Sequence, residues 1–241
     1  MASLEGKVAI VTGGSRGIGL AVSAALLQRG VHVAITGVNK DHLEKAEADL
    51  ARVATQGARV LPFAVDVRDH LAVASLVDET VRRQDGLDIL VNNAGVGWFG
   101  SVESQGHDDW RRVFDTNVTG LFNCCKAAVP HLRRRGGGYI INISSLAGSN
   151  PFSGGASYCA SKAAVDAFSE ALMQEVRQDG IRVSYVKPGS VNTDFMGHAD
   201  PQNDWKLRAE DVAQVVVDLV SHDERSLPSR VEIRPSKPPK K

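Results

Sequence analysis

Thr12-Gly13-Gly14-Ser15-Arg16-Gly17-Ile18-Gly19 joins a short apolar run, Lys7 to Thr12, to a segment with helical spacing, Gly17 to Arg29. Glycines at a strand-to-helix turn permit a tight bend. They also let backbone amides approach an anion at the helix N-terminus, where the helix dipole favours negative charge. A glycine-rich turn can serve the backbone alone. Opening a βαβ unit, this one points to the pyrophosphate of a dinucleotide. Its spacing is Gly-x-x-x-Gly-x-Gly.

Outward from this turn, apolar and amphipathic segments alternate along the chain. Strand-like runs cover Val31 to Thr36, Arg59 to Val65, Asp88 to Asn92, Tyr139 to Ser144, Ile181 to Lys187 and Ser229 to Arg234. Helical spacing covers Lys40 to Ala54, His70 to Arg83, His107 to Arg135, Ser157 to Gln178 and Arg208 to Ser221. The third of these is interrupted at Asn117 to Gly120. Strands apolar along their whole length are buried on both faces, as in a parallel sheet covered by helices. The pattern predicts an α/β chain: a single-domain, Rossmann-type, doubly wound parallel sheet of about seven strands with helices on both faces. No linker or repeat divides residues 1–234, and the Pro/Lys-rich stretch 235–241 reads as a disordered, solvated tail.

The 241 residues carry 28 basic and 28 acidic side chains, so no global field favours nucleic acid or an anionic membrane. Arg133-Arg134-Arg135, the most basic run, precedes Gly136-Gly137-Gly138 and reads as a helix end. No stretch has the apolar length of a membrane span, and no secretory signal is read. The three cysteines, two of them adjacent at Cys124-Cys125, suit neither a disulfide framework nor a CxxC site. No histidine pair has zinc spacing, so no metal is expected. A serine hydrolase lacks its Gly-x-Ser-x-Gly elbow. These features predict a cytoplasmic protein with a small-molecule substrate and with neither nucleic-acid nor membrane partners.

Asn92-Asn93-Ala94-Gly95, Asn117, Ser145, Tyr158-x-x-x-Lys162 and Pro188-Gly189 follow the glycine turn in that order. With the turn's spacing, they make the chain from Leu4 to Pro235 resemble the short-chain dehydrogenase/reductase family. Within it the chain is similar to 3-oxoacyl-[acyl-carrier-protein] reductases, NADP-dependent 3-hydroxy acid dehydrogenases and general carbonyl reductases. Its closing Val231-Glu232-Ile233-Arg234-Pro235 departs from the glycine-rich finish of the carrier-protein enzymes. The resemblance implies hydride exchange between a nicotinamide dinucleotide and a carbonyl or secondary alcohol, in a homodimer or homotetramer. A non-catalytic NADP-binding regulator on the same fold is the contrasting class. The presence of Asn117, Ser145, Tyr158 and Lys162 together favours the enzyme.

Tyr158 and Lys162 lie four residues apart on a predicted helix and share a face. A free tyrosine titrates near ~10, too high for efficient proton exchange at neutral pH, and a nearby ammonium is expected to lower that value. By the resemblance, Ser145 polarises the carbonyl and Tyr158 exchanges the proton. Lys162 tunes Tyr158 and holds the nicotinamide ribose, and Asn117 anchors a water that leads to Lys162. The resemblance also assigns cofactor contacts: Tyr158 and Lys162 themselves, Gly13, Ser15, Arg16, Gly17, Ile18 and Gly19 at the turn, Asp66 and Val67 at the adenine. Asn93 belongs in the cleft, and Val191 and Thr193 meet the carboxamide. Thr36-Gly37-Val38-Asn39, ending the second strand, has no carboxylate to bond the ribose hydroxyls or repel a 2′-phosphate. Arg16 offers a guanidinium fork, so NADP is expected, with NAD as the alternative. Substrate contacts are expected from Val96 to Ser104, Leu146 to Gly155 and Ser190 to Leu207. These loops bring Trp98, Phe99, Phe152, Phe195, Met196 and Trp205.

Overall fold

In the computed structural model the described residues are 3–55, 57–196 and 203–239. Seven strands form one parallel sheet: β1 (Val8–Val11), β2 (His32–Gly37), β3 (Val60–Ala64), β4 (Ile89–Asn92), β5 (Gly138–Ile143), β6 (Ile181–Pro188) and β7 (Arg230–Ile233). Their order is β3-β2-β1-β4-β5-β6-β7. Between them run α1 (Gly17–Leu27), α2 (Lys40–Val53), α3 (His70–Gln84), α4 (His107–Phe114), α5 (Gly120–Arg135), α6 (Ala156–Val176) and α7 (Ala209–Val220). The predicted fold class is the observed one.

Strand periodicity decides how the layers form. Neighbouring residues of one strand point to opposite faces. Accordingly Val11, Val91 and Ile141 pack into one apolar core with α1, α2 and α7. Ile10, Leu90 and Ile140 enter a second core with α3, α5 and α6. Every residue of β1 and β4 is buried, as a central parallel strand covered on both faces requires. Local chemistry sets the helix ends. Asp69 caps α3, accepting from the Leu71 and Ala72 N–H groups at 3.0 and 3.1 Å. Left-handed Gly136 (φ +88°) ends α5, and Arg133 pairs with Asp179 at 2.6 Å.

The predicted interruption of the long helix has a different form from a break. Asp115–Thr119 is a π turn in which the Gly120 N–H reaches back to the Asp115 carbonyl, and the helix runs on into α5. Such widened turns concentrate at functional sites. Near the chain end, Pro235 closes on the Pro188–Gly189 turn, where a Cβ on Gly189 would lie 3.0 Å from its Cδ. Ser236 to Pro239 are exposed. Among the described residues no helix is long and apolar enough to cross a membrane.

Candidate active site

The strand order reverses about β1, with β2 and β3 on one side and β4 to β7 on the other. A crevice therefore opens at the carboxyl ends of the central strands, where doubly wound sheets bind their ligands. Here it is a cavity of about 1090 Å³, bordered by the loops after β1, β3, β4, β5 and β6. Drug-sized ligands fill roughly 300–1,000 Å³, so this cleft has room for a dinucleotide and a substrate together.

At one end lies the glycine turn. Gly13 and Gly17 adopt left-handed backbone (φ +63° and +54°), which turns the chain sharply into α1. Gly19 sits behind the turn: a Cβ there would fall 2.2 Å from the Gly13 carbonyl oxygen, so only glycine lets α1 approach. Gly13, Ser15, Arg16, Gly17 and Ile18 border the cavity. Arg16 holds the N-cap position of α1 without capping it through its side chain. Asn93 braces the turn from β4, its side-chain amide donating to the Thr12 and Gly13 carbonyls at 3.0 and 3.1 Å. Thr193 comes over the turn from the opposite loop, 3.5 Å from where a Gly17 Cβ would stand. Val191 beside it bridges to Leu207 and also lines the cleft. The turn, the unblocked helix start and the overlying threonine fit a dinucleotide pyrophosphate.

Asp66 and Val67 form the wall beyond β3. The Asp66 carboxylate is held by Arg68, with guanidinium contacts at 3.0, 2.9 and 2.5 Å, and this pairing lowers its pKa. Val67 is buried, and its carbonyl accepts from Asn123 at 3.0 Å. At the end of β2, Asn39 is used as the α2 cap, accepting from the His42 N–H at 2.9 Å. Val38 beside it is 74% exposed, so the cleft carries no carboxylate at the end of that strand.

At the other end the four expected catalytic residues meet from three elements. Ser145 follows β5 and caps a short 3-10 turn, its Oγ accepting from the Ala147 N–H at 3.1 Å. Tyr158, on α6, borders the same cavity as Ser145. Lys162, one helical turn beyond, is buried, and its ammonium donates to the Ile143 carbonyl at 2.8 Å. Its Nζ lies 5.8 Å from the centroid of the Tyr158 ring. Asn117, in the π turn, is buried and donates to the Val96 carbonyl (2.9 Å) and to Ser161 (3.0 Å). Its Oδ1 accepts from the Val96 N–H at 2.8 Å. Both amide protons of Asn117 are thus engaged within the protein, and its side chain braces the loop after β4 against α6.

The expected direction of the Tyr158 shift is reversed. Burial raises its pKa and outweighs the lowering by the neighbouring Ser145 hydroxyl. Lys162 is itself taken out of water, which brings its pKa down to about 8 even though Asp166 pulls it upward.

Sequence reasoning passed over a second buried group behind these residues. Lys187, fully buried at the end of β6, pairs with Asp166 of α6 and donates to Ser149. Ser144 donates to the other Asp166 oxygen and lies 3.3 Å from the Lys162 carbonyl oxygen. The signal was present as a lysine directly after the apolar Tyr185-Val186 pair at the end of a strand run. Arg68, Arg112 and Thr116 also border the cleft unforeseen. Of the expected substrate aromatics, Phe99, Phe152, Phe195 and Trp205 line the cavity, Trp98 packs at Gly100, and the Met196 side chain lies outside the described residues.

The profile of the family described as short chain dehydrogenase matches residues 7–204. The chain is 36% identical to a 3-oxoacyl-[acyl-carrier-protein] reductase of Chlamydia pneumoniae over 80% of this chain and 77% of that protein. It is 35% identical, over 98% of its length, to a glycine betaine reductase of Emericella nidulans, of which it spans only 19%. In structure it is similar to a metagenomic short-chain oxidoreductase in complex with NADP, with a TM-score of 0.85 and 34% identity, covering 98% of this chain and 100% of that one.

Proposed function

Since this chain belongs to the short-chain dehydrogenase family and is an oxidoreductase acting on CH–OH groups, we propose that it is an NADP(H)-dependent reductase of small carbonyl compounds, working reversibly on the corresponding secondary alcohols. The observation that carries this reading is the meeting of Ser145, Tyr158 and Lys162 beside a glycine turn shaped for a dinucleotide.

The dinucleotide, when bound, supplies or accepts the hydride. The protein's part is to bind, orient and move a proton. Ser145 donates a hydrogen bond to the carbonyl oxygen, where negative charge develops. Tyr158, a neutral phenol at neutral pH that burial keeps protonated, delivers the proton to that oxygen. The Lys162 ammonium supplies positive charge behind the phenol and a donor for the cofactor ribose. Asn117 keeps the Val96 loop and α6 in register. Tyr158→Phe is expected to abolish NADPH oxidation and leave NADPH binding, followed by fluorescence, in place. Undiminished turnover would overturn the mechanism.

Arg16 and the absence of a carboxylate at Gly37 to Asn39 support NADP over NAD. A higher kcat/KM with NADPH than with NADH, reduced roughly tenfold or more by Arg16→Ala, is the expected result, one charge-assisted contact being worth about 1.5–3 kcal/mol. Equal constants for the two cofactors would remove the argument. The relatives act on different substrates, so the carrier-protein substrate is one arm of the assay rather than its premise. The reading includes a reducing cytoplasm and a homodimer or homotetramer, the assembly alone being supported by the paired aromatic side chains that α4 and α5 leave exposed.

A further inference from the structure

Two phenylalanines from separate loops lie beside Tyr158, and a third, from another loop, stacks on one of them. Phe99 stands 5.5 Å from it between ring centroids, and Phe195 stands 5.8 Å away on another loop. Phe152 stacks on Phe99 at 6.2 Å with only 15° between the planes. These separations are those of favourable aromatic pairs. Yet the three rings are 36%, 41% and 50% exposed, and all border the cleft. Converging, half-exposed aromatics on loops are ligand surface rather than core.

The seats of the rings are built. A Cβ on Gly97 would fall 2.6 Å from the Phe99 ring and 3.1 Å from the Phe195 ring. One on Gly155 would fall 2.5 Å from the Phe152 ring. Glycines therefore clear the space in which Phe99 and Phe195 lie beside Tyr158 and Phe152 stacks on Phe99. Several cations of the cleft are committed elsewhere. Arg68 is paired with Asp66, Arg234 with Glu232, and Lys162 donates to a backbone carbonyl.

On top of the reductase reading, we propose that the substrate presents a flat, uncharged ring attached to the reacting carbonyl carbon. The ring slots among Phe99, Phe152 and Phe195 while the carbonyl oxygen meets Ser145 and Tyr158. An aryl ketone satisfies this arrangement with no anchoring charge. A 3-oxo carboxylate or a carrier-bound acyl chain offers no face for the rings. Lys206, 5.8 Å from the Trp205 ring centroid, makes a carboxylate-bearing substrate the competing outcome.

The test compares kcat/KM, with NADPH, for acetophenone, 2-octanone, acetoacetate and the N-acetylcysteamine thioester of acetoacetate. Acetophenone is expected to exceed 2-octanone, which has the same number of carbons, by about tenfold. Phe152→Leu and Phe99→Leu, which keep apolar bulk, are expected to cut that ratio at least threefold. A preference for acetoacetate or its thioester, or a ratio untouched by both variants, overturns the ring and leaves the reductase standing. Reduction of none of the four by protein that binds NADPH overturns both.

Discussion

At neutral pH the two central groups of the site both hold their protons, and burial shifts their pKa values in opposite directions. Burial disfavours the charged form of each, so Tyr158 stays a neutral phenol, while Lys162 becomes the first to lose its charge as pH rises. Its pKa falls from the ordinary 10.5 to about 8. Below about 8 the lysine is charged folded and unfolded, and the fold bears the cost of that buried ammonium. Between about 8 and 10.5 only the unfolded chain holds the proton, so this group's contribution to stability rises with pH through that window. Activity moves the other way, because the ammonium is what supports proton delivery. kcat/KM for reduction is therefore expected to be level up to about pH 8 and to fall above it. In Lys162→Arg, where the guanidinium does not titrate, the residual rate, lower by about 10²-fold, should lack that limb. An unchanged limb in the variant pH–rate profile would assign it to another group.

Among the elements, the Lys187–Asp166 pair joins the parts that carry the site. Lys187 is the next-to-last residue of β6, Asp166 lies on α6 one turn after Lys162, and Ser144 directly follows β5 beside Ser145. Removing one partner of a buried pair leaves an uncompensated charge. Lys187→Met is expected to cost about 3–5 kcal/mol, read from urea unfolding. The double variant Lys187→Met/Asp166→Asn should recover much of that loss, since neutral replacements of a buried pair are often tolerated. Its kcat should nevertheless stay below that of the natural protein, because Ser144 no longer donates to a charged acceptor next to Ser145. Full recovery of kcat would make the pair structural only. This network also marks where sequence reading stopped. Strand and helix periods and the glycine turn were legible because each depends on neighbours a few residues away. Lys187 and Asp166 are 21 positions apart, and Phe99, Phe152 and Phe195 meet only after folding brings three loops together. The reversed Tyr158 shift was hidden for the same reason: the charge of Lys162 can be read from spacing, and the burial of both groups cannot.

The whole molecule buries two apolar cores, one on each face of the sheet, yet its outer helices do not finish the job. Trp110 is 43% exposed and Phe122 is 45% exposed. Both are paired rather than scattered: Trp110 stacks on Phe114 at 4.6 Å, and Phe122 meets Phe168 of α6 edge-on at 6.4 Å. Isolated exposed aromatics need no explanation, but paired ones form a surface that gains by being covered. Another copy of the chain is the cover that the proposed assembly supplies. In a two-fold interface each substitution is present twice. Covering the exposed half of one phenylalanine side chain is worth about 1 kcal/mol, so Phe122→Glu removes roughly 2 kcal/mol per dimer before any charge repulsion or desolvation of the carboxylate. That alone is a weakening of about 30-fold in the dissociation constant. Light scattering at micromolar protein is therefore expected to give a dimer or tetramer for the natural chain and a smaller assembly for Phe122→Glu. A monomeric natural chain would refute the assembly, and an unchanged mass for the variant would move the interface away from α5.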